Sequence, residues 1–307
     1  MKIDLTKQYD IQSLMSVKLE KISQSDVYKF NIHGRDIFIK SDPNVLYAEL
    51  IAAELLDILG IPRVENTIGL IHDDMYFISY ANYNNEKEFI SGNAFLKEFY
   101  DDNKQFMEDN VDFYGTPKTN DTVLATISHD NLNSLHTIWG ALEWYIAKNN
   151  IKNASVTDLL DSLIDQFVFI CINHISDFHG QNWALLHQGD NLSIYPKFDN
   201  DYLSAYFKNE EGPPLASTMG TYIDDEYECM DGRLTNFLIQ SEPLYMQKVS
   251  GMVEKVSVIG IKEILNRVEK KWGIKIPSKR TFISNFGKRI KNVESLLADI
   301  EQNIKKR

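Results

Sequence analysis

Apolar positions in the first 80 residues fall in short extended runs. Val27-Tyr28-Lys29-Phe30-Asn31-Ile32 and Asp36-Ile37-Phe38-Ile39-Lys40 are β-branched and aromatic stretches around His33-Gly34-Arg35, the pattern of a tight hairpin. After Ser41-Asp42-Pro43-Asn44 the spacing changes. Ala48, Ile51, Ala52, Leu55, Leu56 and Leu59 recur at three and four, which predicts a helix over 47–59 stopped by Gly60. Residues 64–71 and 75–80 predict two more strands, joined at His72-Asp73-Asp74. Strand, strand, helix, strand, strand describes a small antiparallel sheet with one helix packed on it.

Residues 82–88 are polar and turn-rich, the composition of a hinge, and beyond them the pattern becomes helical. Helix-like periodicity covers 91–100, 131–148, 157–173 and most of the chain after Leu234. Stretches 101–128 and 208–232 are polar, acidic and irregular, and read as loops, with Gly212-Pro213-Pro214 a firm break. The expected organisation is α+β: a β-rich lobe over 1–82 and a larger, mostly helical lobe over 83–307.

Composition narrows the class. The 307 residues are 43% hydrophobic and 25% charged, which excludes disorder as the main state. No apolar run approaches the roughly 20 residues of a membrane-spanning helix. The opening Met1-Lys2-Ile3-Asp4 has no apolar secretory stretch, and the two cysteines, Cys171 and Cys229, make neither a disulfide framework nor a CxxC metal site. A reducing, cytoplasmic setting is expected.

Charge is uneven. Residues 1–247 hold 17 Lys+Arg against 38 Asp+Glu, a net of −21, whereas 248–307 hold 15 against 6, a net of +9. The acidic body argues against a large nucleic-acid footprint, and an anionic ligand there needs a dedicated lysine, backbone donors or a metal ion. The basic end reads as helices with solvated charged faces.

The most informative stretch is Asn173-His174-Ile175-Ser176-Asp177-Phe178-His179-Gly180-Gln181-Asn182, set between an apolar helix and the strand-like Trp183-Ala184-Leu185-Leu186. Polar groups held between apolar segments are costly unless bonded or used. A second strand-like run over 192–198 ends in Asp199-Asn200-Asp201. A hairpin of the two runs is expected to gather Asp177, Asn182 and Asp199, hard oxygen ligands of the kind Mg²⁺ on phosphates requires.

Asp177-Phe178-His179-Gly180-Gln181-Asn182 resembles the D-x-H-x-x-N catalytic loop of the HipA-like kinases, relatives of the phosphatidylinositol 3/4-kinases. Phe198-Asp199-Asn200 resembles their metal-binding aspartate segment, and Phe38-Ile39-Lys40 their phosphate-gripping strand lysine. Glu49, on a helix that ends Leu59-Gly60-Ile61-Pro62, is similar to their helix glutamate. The four motifs run in order over residues 25–205. The resemblance implies a compact, bilobal, protein-kinase-like fold with ATP and Mg²⁺ as cofactors. It implies a protein Ser/Thr substrate, autophosphorylation, and a small antitoxin-like partner or, for a secreted bacterial effector, a host target. Lys40 would pair with the nucleotide phosphates, held by Glu49; Asp177 would act as general base; Asn182 and Asp199 would hold Mg²⁺. Adenine is expected near 78–83, with Ile78 and Tyr80 on that strand and backbone groups as readers.

Three departures stand out. The turn ahead of the lysine strand, Ile22-Ser23-Gln24-Ser25-Asp26, lacks glycine and leaves Ser23 and Ser25 to bond phosphate; Phe178 replaces a loop arginine; and Lys40 and Glu49 are close in sequence. On charge alone Glu54 and Asp57 would serve as well as Glu49, and Asp177 and Asn182 also fit a helix-ending turn with local hydrogen bonds. The spacing of His174, His179 and His187 fits no zinc pattern. Two other readings of the whole chain are a small-molecule phosphotransferase of aminoglycoside or choline type and a nucleotide-binding pseudokinase.

Overall fold

The computed structural model describes residues 2–4, 20–21, 27–32, 35–40, 42–71, 74–83, 87–103, 135–173, 182–208, 222–223, 226–227 and 243–305. Ser23, Ser25, Asp177, His174, His179 and nearly all of the expected loops over 101–128 and 208–232 lie outside them. Strands are β1 (Lys2–Asp4), β2 (Glu20–Lys21), β3 (Val27–Ile32), β4 (Arg35–Lys40), β5 (Asn66–Ile71), β6 (Asp74–Tyr80), β7 (Glu88–Ser91), β8 (Ala184–Gln188), β9 (Asn191–Ile194), β10 (Tyr222–Ile223) and β11 (Glu226–Tyr227). Helices are α1 (Pro43–Leu59), α2 (Gly92–Asp102), α3 (Leu135–Lys148), α4 (Val156–Ile172), α5 (Pro243–Ile259), α6 (Ile261–Trp272) and α7 (Lys279–Lys305), with a 3-10 helix over Asp201–Phe207.

The chain divides into two compact units. The first comprises Met1–Glu86, Phe198–Pro213 and Gly251–Asn292. Its six-stranded sheet has the order β1-β5-β6-β4-β3-β2. The hairpin β3–β4 and the pair β5–β6 form as the alternation predicts, and every pairing is antiparallel except β1 on β5. The helix begins at Pro43, earlier than its apolar periodicity. Capping chemistry sets the start: the Asp42 carboxylate accepts from the Asn44 N–H at 2.8 Å, and proline at the first position needs no donor. Gly60, at φ 77°, closes the other end.

Helix α1 is core almost all round. Leu46, Ala48, Leu50, Ile51, Ala52, Leu55 and Leu56 are each at most 1% exposed, and each such leucine or isoleucine contributes about 2 kcal/mol by burial. The helix packs against β6, the 3-10 helix and α6. Lys271 of α6 reaches Glu54 and Asp57 of α1 at 3.5 and 3.3 Å. Tyr206 and Phe207 of the 3-10 helix pack on Phe282 of α7, with ring centroids 5.7 and 4.9 Å away.

The second unit comprises Lys87–Lys197, Pro214–Ser250 and Val293–Arg307. Its sheet, β7-β8-β9, is antiparallel. The hairpin β8–β9 matches the sequence pattern, turning at Gly189 in the left-handed region. Strand β7 does not, because its four residues gain their structure from a partner almost a hundred positions later. Phe95 of α2 packs edge-on against Tyr145 of α3 and Trp183 at 5.6 and 6.0 Å. No described helix is long and apolar enough to cross a membrane.

Candidate active site

The site is built around one ammonium group. Lys40 ends β4, next to the sheet centre, and is only 8% exposed. Glu49 sits two turns along α1 among Ala48, Leu50, Ile51 and Ala52, and is 3% exposed. A carboxylate in such surroundings requires a partner. Lys40 Nζ donates to Glu49 Oε1 at 2.6 Å. Glu54 and Asp57, the other acids of the helix, are turned away from the lysine: Glu54 pairs with Lys271, and Asp57 with Arg63 and Lys271.

The segment after Lys197 closes the arrangement. Lys40 Nζ also donates to Asp199 Oδ1 at 2.5 Å and lies 3.5 Å from Asp201 Oδ2. Two carboxylates two residues apart reach one amine because Asp199 takes a left-handed φ of 58°, a turn that aspartate tolerates better than most residues. Asn200 fixes the turn. Its backbone N–H donates to Glu49 Oε1 at 2.9 Å, and its amide nitrogen to Glu49 Oε2 at 3.3 Å. Asn200 is 4% exposed, and its Oδ1 is buried without a protein partner.

Electrostatics follow from this packing. Burial opposes charge on Lys40, but Glu49, Asp199 and Asp201 outweigh it and hold the ammonium far above the ordinary lysine range. For Asp201 the balance is opposite. Burial raises its carboxyl, Lys40 offsets this only in part, and the negative charges of Asp199 and Glu49 add to it, leaving a pKa of about 6.

The other expected residues divide. Ile78 and Tyr80 pair across the ladder with Ile39 and Ile37, so their side chains face away from the side shared by Lys40 and Phe77. Ile78 is core, and the Tyr80 ring lies 4.7 Å under the Arg35 guanidinium. In the second unit, Asn182 is 5% exposed and immediately precedes the fully buried Trp183, whose carbonyl accepts from the Gly92 N–H at 2.9 Å. His187, weighed above as a metal ligand, bonds Tyr145 Oη at 3.0 Å and the Gly189 carbonyl at 2.9 Å.

No family model matches the chain, and no curated protein sequence matches it. Solved structures do. The Helicobacter pylori proinflammatory kinase CtkA aligns with a TM-score of 0.59 over 90% of this chain and 94% of its own, at 12% identity. HipA of the Shewanella oneidensis MR-1 toxin–antitoxin system, in complex with HipB and its operator DNA, aligns with a TM-score of 0.53 over 95% and 70%, also at 12% identity. The chain has the fold of a HipA-like kinase. It is thus α+β and protein-kinase-like, with a small, mostly antiparallel sheet and a larger set of helices, as the motif order implies. In protein kinases a strand lysine, a helix glutamate and an aspartate after the catalytic loop meet at the nucleotide phosphates.

Two residues of the cluster are absent from the sequence-based set. Asn200 and Asp201 join it only because of the backbone turn at Asp199. The one sequence signal is the run Asp199-Asn200-Asp201 itself, which is unusually polar for a segment between a strand and the aromatic Tyr202.

Proposed function

We propose that the protein is a HipA-like kinase that transfers the γ-phosphoryl group of ATP, as its Mg²⁺ complex, to Ser or Thr hydroxyls of a protein, itself included. The observation that carries this reading is the buried Lys40 held by Glu49 and Asp199 in a kinase fold.

The cluster also suits a hard cation. Glu49, Asp199 and Asp201 face one ammonium, so two negative charges are unbalanced. Divalent magnesium with oxygen ligands matches that deficit. Asp199 and Asn182 would hold it, and when bound it would supply charge neutralisation for the phosphates. Lys40 grips the phosphates, Glu49 fixes the lysine, and Asp177 accepts the proton of the attacking hydroxyl. Ser23 and Ser25 add hydroxyl donors to the glycine-free phosphate turn. Adenine is read along 78–83 through backbone groups, since the Ile78 and Tyr80 side chains face away from Lys40. Residues 1–82 supply the phosphate grip and 83–307 the catalytic loop. A cytoplasmic protein with a small antitoxin-like partner is the matching setting, by analogy with the HipA structure that contains HipB.

The test is incubation with Mg²⁺ and labelled ATP, wild type beside Asp177→Ala and Asp199→Ala, with melting measured in parallel. Label on wild type alone supports the proposal. Transfer only to aminoglycoside- or choline-type acceptors makes it a small-molecule phosphotransferase. A nucleotide-dependent melting shift without transfer makes it a pseudokinase, and no nucleotide binding ends the kinase reading.

A further inference from the structure

An ammonium group has three N–H donors and no acceptor. In Lys40 three carboxylates surround those donors: Glu49 at 2.6 Å, Asp199 at 2.5 Å and Asp201 at 3.5 Å. A phosphate oxygen approaching Lys40 therefore meets two donors already bonded, to Glu49 and Asp199, and a third carboxylate, Asp201, at ion-pair distance from the same ammonium. Glu49 is the least free to withdraw, because Asn200 bonds both of its oxygens. Asp201 makes the longest contact, and it stands on the first residue of the 3-10 helix, beyond the turn that Asn200 pins.

The same cluster carries a net charge of about −2 at neutral pH if all four groups are ionised. Metal-free ATP carries about −4, and like charges a few ångströms apart in a partly buried setting repel by several kcal/mol. A free triphosphate must therefore overcome this field.

The geometry points to Asp201 as the positioning residue that couples nucleotide binding to a divalent cation: it stands at ion-pair distance from an ammonium whose other donors go to Glu49 and Asp199, and its charge holds that approach until a cation draws the aspartates away, so that metal-free nucleotide is refused. This rests on the kinase reading above and adds to it a requirement set by a residue outside the Lys40–Glu49–Asp199 set. Neutralising Asp201 removes one negative charge 3.5 Å from the ammonium, without touching the hydrogen bonds to Glu49 and Asp199.

The experiment measures the affinity of the full-length chain for ATP by calorimetry, in EDTA and in excess Mg²⁺, for wild type, Asp201→Asn, Asp201→Ser and the double variant Lys40→Met/Asp201→Asn. The readout is the ratio of the two affinities, which a merely structural role of Asp201 leaves unchanged. Wild type should bind ATP in Mg²⁺ and at least about a hundred-fold more weakly in EDTA. Asp201→Asn and Asp201→Ser should each narrow that ratio by roughly ten-fold or more, chiefly by stronger binding in EDTA, since one unit charge at this range is worth over 1.4 kcal/mol. Lys40→Met added to Asp201→Asn should abolish the gain. An unchanged ratio in both Asp201 variants, or wild-type binding that ignores Mg²⁺, overturns the inference and leaves the kinase reading standing. Absence of wild-type binding under both conditions overturns the kinase reading and the inference with it.

Discussion

Asn200 is bonded twice to the carboxylate of Glu49, by its backbone N–H at 2.9 Å and by its side-chain amide at 3.3 Å, across 151 positions of sequence. One glutamate thereby holds both the strand lysine and the segment that carries Asp199. Glu49 is a hub rather than a simple counter-ion, and its loss affects both connections.

Replacing Glu49 by Ala should destabilise the protein by about 1–3 kcal/mol, because Asn200 loses the acceptor of two hydrogen bonds while Lys40 keeps Asp199 as its partner. Lys40→Met, which strips Glu49, Asp199 and Asp201 of their shared cation, should be less stable than Glu49→Ala. Urea unfolding midpoints check both, and equal stability would contradict the burial of the pair.

Asn200→Ala should be mild and Asn200→Asp severe. The alanine variant keeps the backbone bond to Glu49 and also removes the unpartnered Oδ1, so a loss of about 1 kcal/mol is expected. The aspartate variant sets a second carboxylate against Glu49 and should lose at least about 3 kcal/mol at pH 7.5. Acid should narrow the gap between the two.

The Asp201 carboxyl, raised to about 6, gives stability a distinct pH dependence. Its native pKa exceeds the unfolded value of 3.8, so between those values the native state binds more protons. Its contribution is therefore fully present below the unfolded value and is lost as pH rises through about 6, amounting to at most about 3 kcal/mol. Asp36 and Asp57 act in the other sense. Burial opposes their ionisation, but Lys29, Asn31 and Tyr83 for Asp36, and Arg63 and Lys271 for Asp57, hold both below the ordinary carboxylate value. Their contribution is present above the unfolded value and lost as pH falls through the native one. Melting temperatures between pH 5 and 8 should rise toward acid in wild type and lose that slope in Asp201→Asn.

Asp199 separates chemistry from backbone. Both Asp199→Ala and Asp199→Gly should abolish phosphoryl transfer. Glycine accepts the left-handed φ of 58° freely, so Asp199→Gly should be about 1 kcal/mol more stable than Asp199→Ala. Equal unfolding midpoints would mean that the turn opens when the carboxylate is lost.

Wherever the apolar period was local, the sequence was legible. Strands β3 to β6 and helix α1 follow from alternation and three-four spacing, and the hairpin β8–β9 from its two strand-like runs. The start of α1 was hidden because a cap and a proline, not apolar spacing, determine it. Strand β7 was hidden because its ladder is made with residues 184–187. That Lys40, Glu49 and Asp199 come together was legible from motif order. The choice of Glu49 over Glu54 and Asp57 was written in its four buried neighbours, Ala48, Leu50, Ile51 and Ala52. Asn200 and Asp201 were not legible, because a single positive φ decides where both side chains go.

The first unit is discontinuous in sequence, and this governs the order in which it is completed during synthesis. A ribosome releasing Met1–Glu86 has made Lys40, Glu49 and Asp57 but not their later partners, Asp199 for Lys40, Asn200 for Glu49 and Lys271 for Asp57. The early sheet and α1 must therefore persist with apolar surface uncovered until the segments at 198–213 and 251–292 emerge, a long-range closure of the kind that folds slowly and exposes chains to aggregation. Nascent chains stalled short of residue 251 should be chaperone-dependent, because the segment that carries Lys271 onto α1 has yet to emerge.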